Sequence, residues 1–295
     1  MGAVKILLFG YGEMGCAGLD FLRSRGERVT AIVTHPDDPA EKRWFRSLEE
    51  LGRSARIPIF HDVGTDLESL ARRLEPELML SFYFRRMIPR RVLDIAPRGA
   101  LNLHGSLLPR LRGRAPLNWA LVEGEDRTGV TLHHMVEEPD AGDIVAQRAF
   151  DIGPRDTART LFDRAVAEAK LLLEEIWPLI REGSAPRIPQ DHSKATYRGR
   201  RRPEDGRIDW RQPTRKVDGL VRAVTDPFPG AFTSLGGRKL MVWEGAPSEG
   251  RGRPGRVIHP AVVATADGAY RIDRCEFSAS GDGLSALVPG VELGV

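Results

Sequence analysis

Val4-Lys5-Ile6-Leu7-Leu8-Phe9-Gly10-Tyr11-Gly12-Glu13-Met14-Gly15 decides the fold: a short apolar run stops at glycine and passes into helical spacing. Residues 16–25 continue that spacing, and Arg28–Thr34 is again β-branched and apolar, so the opening reads strand, helix, strand. Gly10, Gly12 and Gly15 form G-x-G-x-x-G in the strand-to-helix position of a dinucleotide fingerprint. That fingerprint also needs an acidic residue closing the second strand, to hold a ribose hydroxyl. Here the second strand closes on Thr34-His35-Pro36, and Asp37 comes late, behind a proline. The glycines therefore read as a tight turn rather than a pyrophosphate cradle, against the rival reading of an NAD-dependent oxidoreductase.

The alternation continues downstream. Leu67–Leu74 has helical spacing, residues 78–84 and Ala100–His104 read as strands, and so do residues 128–136 and 144–152. Residues 157–181 form a long amphipathic helix, capped by Asp156 or Thr157 and ended by Gly183. Such alternation predicts a mostly parallel, Rossmann-like α/β sheet domain over residues 1–189. Pro186, Pro189, Pro203 and the basic run Arg198-Gly199-Arg200-Arg201-Arg202 mark a linker at 190–205. Beyond it, Ala231–Leu235 and residues 239–243 flank Gly236-Gly237, and residues 262–265 and 270–273 flank Asp267-Gly268. Two such hairpins predict a small OB-like β-barrel at 206–295.

Composition narrows the class. The 295 residues are 41% hydrophobic and 29% charged, enough to bury a sizeable core. No apolar run approaches the length that spans a bilayer, and no basic patch precedes a long apolar stretch, so neither a membrane span nor a signal peptide is expected. Two cysteines, Cys16 and Cys275, lack disulfide-scaffold or metal spacing, so a reducing cytoplasm and no metal are expected. The net charge of +3 suits an anionic small substrate as well as nucleic acid.

The chemistry concentrates in Leu101-Asn102-Leu103-His104-Gly105-Ser106-Leu107-Leu108-Pro109. Strand side chains alternate, so Asn102 and His104 share a face at the C-terminal end of a sheet strand, where open α/β sheets bind ligands. Pro139-Asp140-Ala141-Gly142-Asp143 offers a carboxylate in a turn. Asp140 beside His104 would orient the ring and raise its pKa. The Asn102 amide could donate to an oxygen gaining charge. Taken alone, His104 also fits a structural histidine and Asp140 an ordinary turn residue. The three together suit attack on an acyl carbon by an external amine, with no protein nucleophile. Ser106 lacks the G-x-S-x-G elbow. His133 and His134 face opposite sides of a strand and make poor joint ligands.

Asn102-Leu103-His104-Gly105-Ser106-Leu107-Leu108-Pro109, Arg112-Gly113-Arg114-Ala115-Pro116, Thr128-Gly129-Val130-Thr131 and Asp140-Ala141-Gly142-Asp143 together resemble the 10-formyltetrahydrofolate-dependent formyltransferases. Ser81-Phe82-Tyr83-Phe84-Arg85-Arg86, Pro116-Leu117-Asn118-Trp119 and Asp226-Pro227-Phe228-Pro229-Gly230-Ala231-Phe232 are most similar to the formyltransferase half of ArnA, which formylates UDP-4-amino-4-deoxy-L-arabinose. The resemblance covers nearly the whole chain and implies a Rossmann-like domain followed by a small barrel, with no dinucleotide at Gly10–Gly15. It implies Asn102 as oxyanion stabiliser, His104 as proton handler and Asp140 as its partner. It implies contacts to the folate co-substrate from Arg86, Met87, Ile88, Arg114 and the segment Val136, Glu137, Glu138, Pro139, Asp140. Leu111 stands where an aromatic residue is common. No counterpart of the ArnA decarboxylase half is expected in these 295 residues.

The tRNA-acting branch of that family carries a basic, glycine-containing insertion after the second strand. The corresponding Pro36-Asp37-Asp38-Pro39-Ala40-Glu41-Lys42-Arg43-Trp44-Phe45 nearly cancels in charge and holds no glycine, a poor phosphate-tracking loop. The expected acceptor is a nucleotide-linked amino sugar, with methionyl-tRNA as the alternative and a catalytically silent binding module as a third reading. A lipid A precursor is one such sugar, and a homo-oligomer is compatible with the sequence.

Overall fold

The computed structural model describes residues 2–37, 43–278 and 281–294. Its elements run β1 (Lys5–Gly10), α1 (Gly12–Ser24), β2 (Arg28–Thr34), α2 (Leu48–Ser54), β3 (Ile59–His61), α3 (Leu67–Leu74), β4 (Leu78–Phe82), α4 (Arg90–Leu93), β5 (Ala100–His104) and β6 (Arg112–Gly113). They continue α5 (Pro116–Glu123), β7 (Arg127–His134), β8 (Ile144–Asp151), α6 (Ala158–Glu182), β9 (Tyr197–Arg198), α7 (Thr214–Val224), β10 (Ala231–Leu235), β11 (Arg238–Ser248), β12 (Val257–His259), β13 (Val262–Ala264) and β14 (Ala269–Phe277). The chain divides into two compact units: residues 1–113, 128–150 and 163–198, and residues 114–127, 151–162 and 199–295.

The first unit holds a seven-stranded sheet in the order β3-β2-β1-β4-β5-β7-β8. β3, β2, β1, β4 and β5 are parallel, and β7 joins β5 antiparallel. β4 is buried along its whole length, as a central parallel strand covered on both faces must be. Residues 83 and 84, expected to continue that strand, leave it because Tyr83 turns to φ +59°. α1 begins at Gly12, four residues earlier than its apolar spacing suggests, because the helix absorbs the glycine turn. A Cβ on Gly10 or Gly15 would lie 2.9 or 2.8 Å from Leu48 Cδ2, and one on Gly12 would lie 3.0 Å from the Phe45 ring. The chain's own side chains thus pack against the glycine loop. α2, β3 and α5 were not expected from the sequence. Of the stretch after β2 whose charges nearly cancel, residues 38–42 lie outside the described residues.

The second unit carries the expected antiparallel sheet, laddered as β10-β11-β14-β13-β12. Gly236 and Gly237 join β10 to β11 with φ of +56° and +74°, as a tight hairpin requires. β11 shifts register twice near Glu244, which bends it. α7, also unexpected, packs against β11 and α5. The stretch expected as a linker carries β9 and two single turns, His192–Lys194 and Pro203–Gly206.

A buried carboxylate holds one end of the first unit together. Glu27 accepts the Val4 N–H at 2.7 Å and the Trp177 indole N–H at 3.1 Å, and lies 3.2 Å from Arg181 Nε. It joins the start of β1 to α6. Glu27→Ala is expected to destabilise the protein by about 1–3 kcal/mol, the cost of leaving the buried Val4 and Trp177 donors unsatisfied. A urea unfolding midpoint within error of wild type would show that these donors find other partners.

Candidate active site

The antiparallel pairing of β5 with β7 assembles the site. Asn102 stands opposite His133, His104 opposite Thr131, and Leu101 opposite His134. Directly opposed residues share a face, so Asn102, His104, His133 and Thr131 lie together. His133 and His104 are buried, and Asn102 is half-buried. Asp140 reaches them from the loop between β7 and β8, in the left-handed region at φ +53°. A Cβ on Gly142, two residues on, would lie 2.0 Å from the His134 carbonyl oxygen, so only glycine fits that close approach.

The Asp140 carboxylate is the hub. Oδ2 accepts the Gly113 N–H at 2.8 Å and lies 3.6 Å from His104 Nδ1. Oδ1 lies 3.4 Å from His133 Nε2 and from Asn102 Nδ2. Burial pushes this carboxyl up. The charge that His104 carries when protonated, the hydrogen bond and charge of a protonated His133 and the Gly113 N–H outweigh it, holding the group well below the usual carboxylate range.

Ring nitrogens are assigned by what they face. His104 Nε2 lies 2.8 Å from the Leu111 carbonyl, which can only accept, so Nε2 carries hydrogen and Nδ1 faces Asp140. His133 Nδ1 donates to the His134 carbonyl at 2.9 Å, leaving Nε2 of the neutral ring to accept from Asn102 Nδ2 at 3.1 Å. One Asn102 N–H is therefore committed to His133. The other, 3.4 Å from Asp140 Oδ1, makes a long contact and is the one open to a ligand oxygen. Leu111, buried at φ +56°, serves through its backbone. The loop after β5 is pinned where Thr131 Oγ1 donates to the Ser106 carbonyl at 2.6 Å and Gln147 Nε2 to the Leu108 carbonyl at 2.9 Å.

The residues expected at the folate divide. Met87, Ile88 and Glu137 line one cavity of about 550 Å³ with Arg90 and Arg91. Met87 is exposed, while Ile88 also belongs to the core packed on β1 and β4. Arg86 Nε pairs with Asp62 at 3.0 Å. His35 accepts the Arg85 N–H at 2.8 Å, fastening that segment to the end of β2. Val136 is half-buried, and Glu137, Glu138 and Pro139 are exposed beside Asp140. Arg114 falls in the second unit. Sequence reasoning missed His133, whose signal was the register of an antiparallel β5–β7 pair. It also missed Arg112, Gln190 and Tyr197, which no local spacing connects to Asp140.

Two family models match the chain: the formyl transferase model over residues 4–176, and the formyl transferase C-terminal domain over residues 201–281. HypX from Aquifex aeolicus, solved with tetrahydrofolic acid, is similar at 24% identity with a TM-score of 0.64, over 94% of this chain and 45% of HypX. The chain thus spans about half the length of HypX. An N-formyltransferase from Helicobacter canadensis, solved with folinic acid and dTDP-3-aminofucose, is similar at 18% identity and a TM-score of 0.73, over 90% of this chain and 97% of that one. WlaRD, a sugar 3N-formyl transferase, is similar at 17% identity and a TM-score of 0.70, over 95% and 99%. At these identities the likenesses establish the fold.

The depressed carboxyl fixes the sign of an acid effect. Folded Asp140 resists a proton that the unfolded chain accepts in the usual carboxylate range. Its contribution is full above that range and is lost as pH falls toward the folded value. Wild type should therefore exceed Asp140→Asn in stability near pH 6 by more than near pH 3, measured by urea unfolding. A difference constant with pH would show that Asp140 is not held in its ionised form.

Proposed function

The chain belongs to the formyl transferase family, and from that premise we propose that it moves a formyl group from 10-formyltetrahydrofolate to the amine of a nucleotide-linked amino sugar. The observation that carries this is the convergence of the Asn102 amide, the His104 imidazole and the Asp140 carboxylate on one face at the end of β5. No nucleophilic side chain is needed, because the acceptor brings its own amine.

The neutral amine adds to the formyl carbon, and the carbonyl electrons move onto oxygen. The uncommitted Asn102 N–H donates to that oxyanion. His104 takes the proton the amine sheds, and the Asp140 charge beside Nδ1 stabilises the imidazolium that results. Collapse of the intermediate breaks the bond to tetrahydrofolate, whose leaving nitrogen takes the proton that the His104 imidazolium returns. The cavity lined by Met87, Ile88 and Glu137 takes the folate.

For the acceptor, the likeness of residues 81–86 and 226–232 to ArnA supports UDP-4-amino-4-deoxy-L-arabinose or a related sugar, and with it a cytoplasmic reaction. The Helicobacter protein solved with dTDP-3-aminofucose supports the wider class of nucleotide amino sugars.

The test is formylation by 10-formyltetrahydrofolate of UDP- and dTDP-linked amino sugars, with methionyl-tRNA in parallel. Turnover of an amino sugar, with tRNA inert, is expected. His104→Ala should lose roughly 10²–10⁴-fold in kcat while folding normally. Preference for tRNA overturns the acceptor, and near-normal kcat in His104→Ala overturns the mechanism.

A further inference from the structure

We propose that Arg112 and Gln190 form a buried clamp that positions the Asp140 carboxylate for formyl transfer, with Tyr197 tying Glu138 into the same clamp. The catalytic half of this proposal rests on the function proposed above.

Asp140 needs holding from more than its carboxylate. Its backbone occupies the left-handed region, which side-chain-bearing residues adopt sparingly even though Asp tolerates it better than most. Gln190 supplies that hold. Its Nε2 donates to the Asp140 carbonyl at 2.8 Å and to the Gly142 carbonyl at 2.6 Å, spending both amide hydrogens across the turn. Its Oε1 accepts from Arg112 Nη2 at 2.7 Å and Nε at 3.2 Å. Arginine has donors only, and the two carbonyls accept only, so the amide has one possible orientation.

Among the described residues Arg112 is the largest fully buried side chain, 1% exposed. A charge so placed is tolerated only with its donors met. Besides Gln190, it donates to Tyr197 Oη at 2.6 Å and lies 3.3 Å from His192 Nδ1. Tyr197 Oη in turn donates to Glu138. Arg112 and the next residue therefore grip Asp140 twice: the Gly113 N–H holds its carboxylate, and the Arg112 side chain, through Gln190, holds its carbonyl. The β6–β9 pairing, Arg112 with Tyr197 and Gly113 with Arg198, keeps both grips in register.

Gln190 and Arg112 are positioning residues, since they reach the reaction only through Asp140. Gln190→Leu removes the donors to the turn. Gln190→Glu keeps an acceptor for Arg112 and the side-chain shape, but sets a carboxylate oxygen against two carbonyls, and serves where leucine disturbs folding. Either variant should lower kcat by about 10–100-fold, as displaced catalytic groups do, with the acceptor KM within a few-fold. A second readout needs no turnover: the acid-dependent stability difference between Asp140 and Asp140→Asn should flatten in the Gln190 variant background. Tyr197→Phe, at a half-exposed position, should raise the formyl-donor KM severalfold. Wild-type kcat in both Gln190 variants, or an unchanged acid-dependent difference, overturns the clamp, and an unchanged donor KM in Tyr197→Phe overturns its Glu138 arm. A wild-type protein inert toward every formyl acceptor overturns the functional reading, while the stability readout still decides whether the clamp holds Asp140.

Discussion

A carboxylate inside a protein survives in ionised form only if the surroundings replace the water it gave up. Asp140 meets that demand with two imidazoles, an amide and a backbone N–H, drawn from β5, β7 and β6. Much of the first unit is arranged to deliver them. The antiparallel entry of β7 puts His133 beside Asn102, the loop after β5 curls back to present Gly113, and Gly142 lets the turn approach His134. None of these groups would be in place if β7 joined the sheet one residue out of register, because every side chain would change face.

The same arrangement explains why the polar residues divide their labour. His133 and His104 sit on one face of adjoining strands, yet each ring is tethered to a different carbonyl, of His134 and of Leu111. The two tethers fix which nitrogen of each ring turns toward Asp140. His134, on the opposite face, bonds the Pro186 carbonyl, and burial lowers its pKa. Two neighbouring histidines thus perform unrelated tasks because a strand alternates.

Much of this was legible in the sequence, and the gaps have physical causes. β5 and Leu67–Leu74 fell where periodicity put them, since both pair strong apolar spacing with clear ends. The convergence of Asn102, His104 and Asp140 was legible because two lie at i and i+2 on a strand and the third in a glycine turn. α7 was legible but passed over: Val217, Leu220, Val221 and Val224 recur at i, i+3, i+4 and i+7, an apolar helix face. His133 escaped because cross-strand neighbours are set by register, which a single strand does not encode. Arg112 and Gln190 meet from 78 residues apart, a separation at which no local pattern operates.

The short pairing of β6 with β9 bears on where this protein can be cut and rejoined. Sequence composition invites a junction near residue 190, in the proline-rich stretch, but Gln190, His192 and Tyr197 belong to the compact unit that holds the Asp140 carboxylate. A chimera grafting another protein's C-terminal portion at that point would import foreign residues under the Asp140 turn. A fusion point beyond Arg198 leaves the native groups in place, so recombination libraries built on this scaffold should keep residues 190–198 with the unit that holds Asp140.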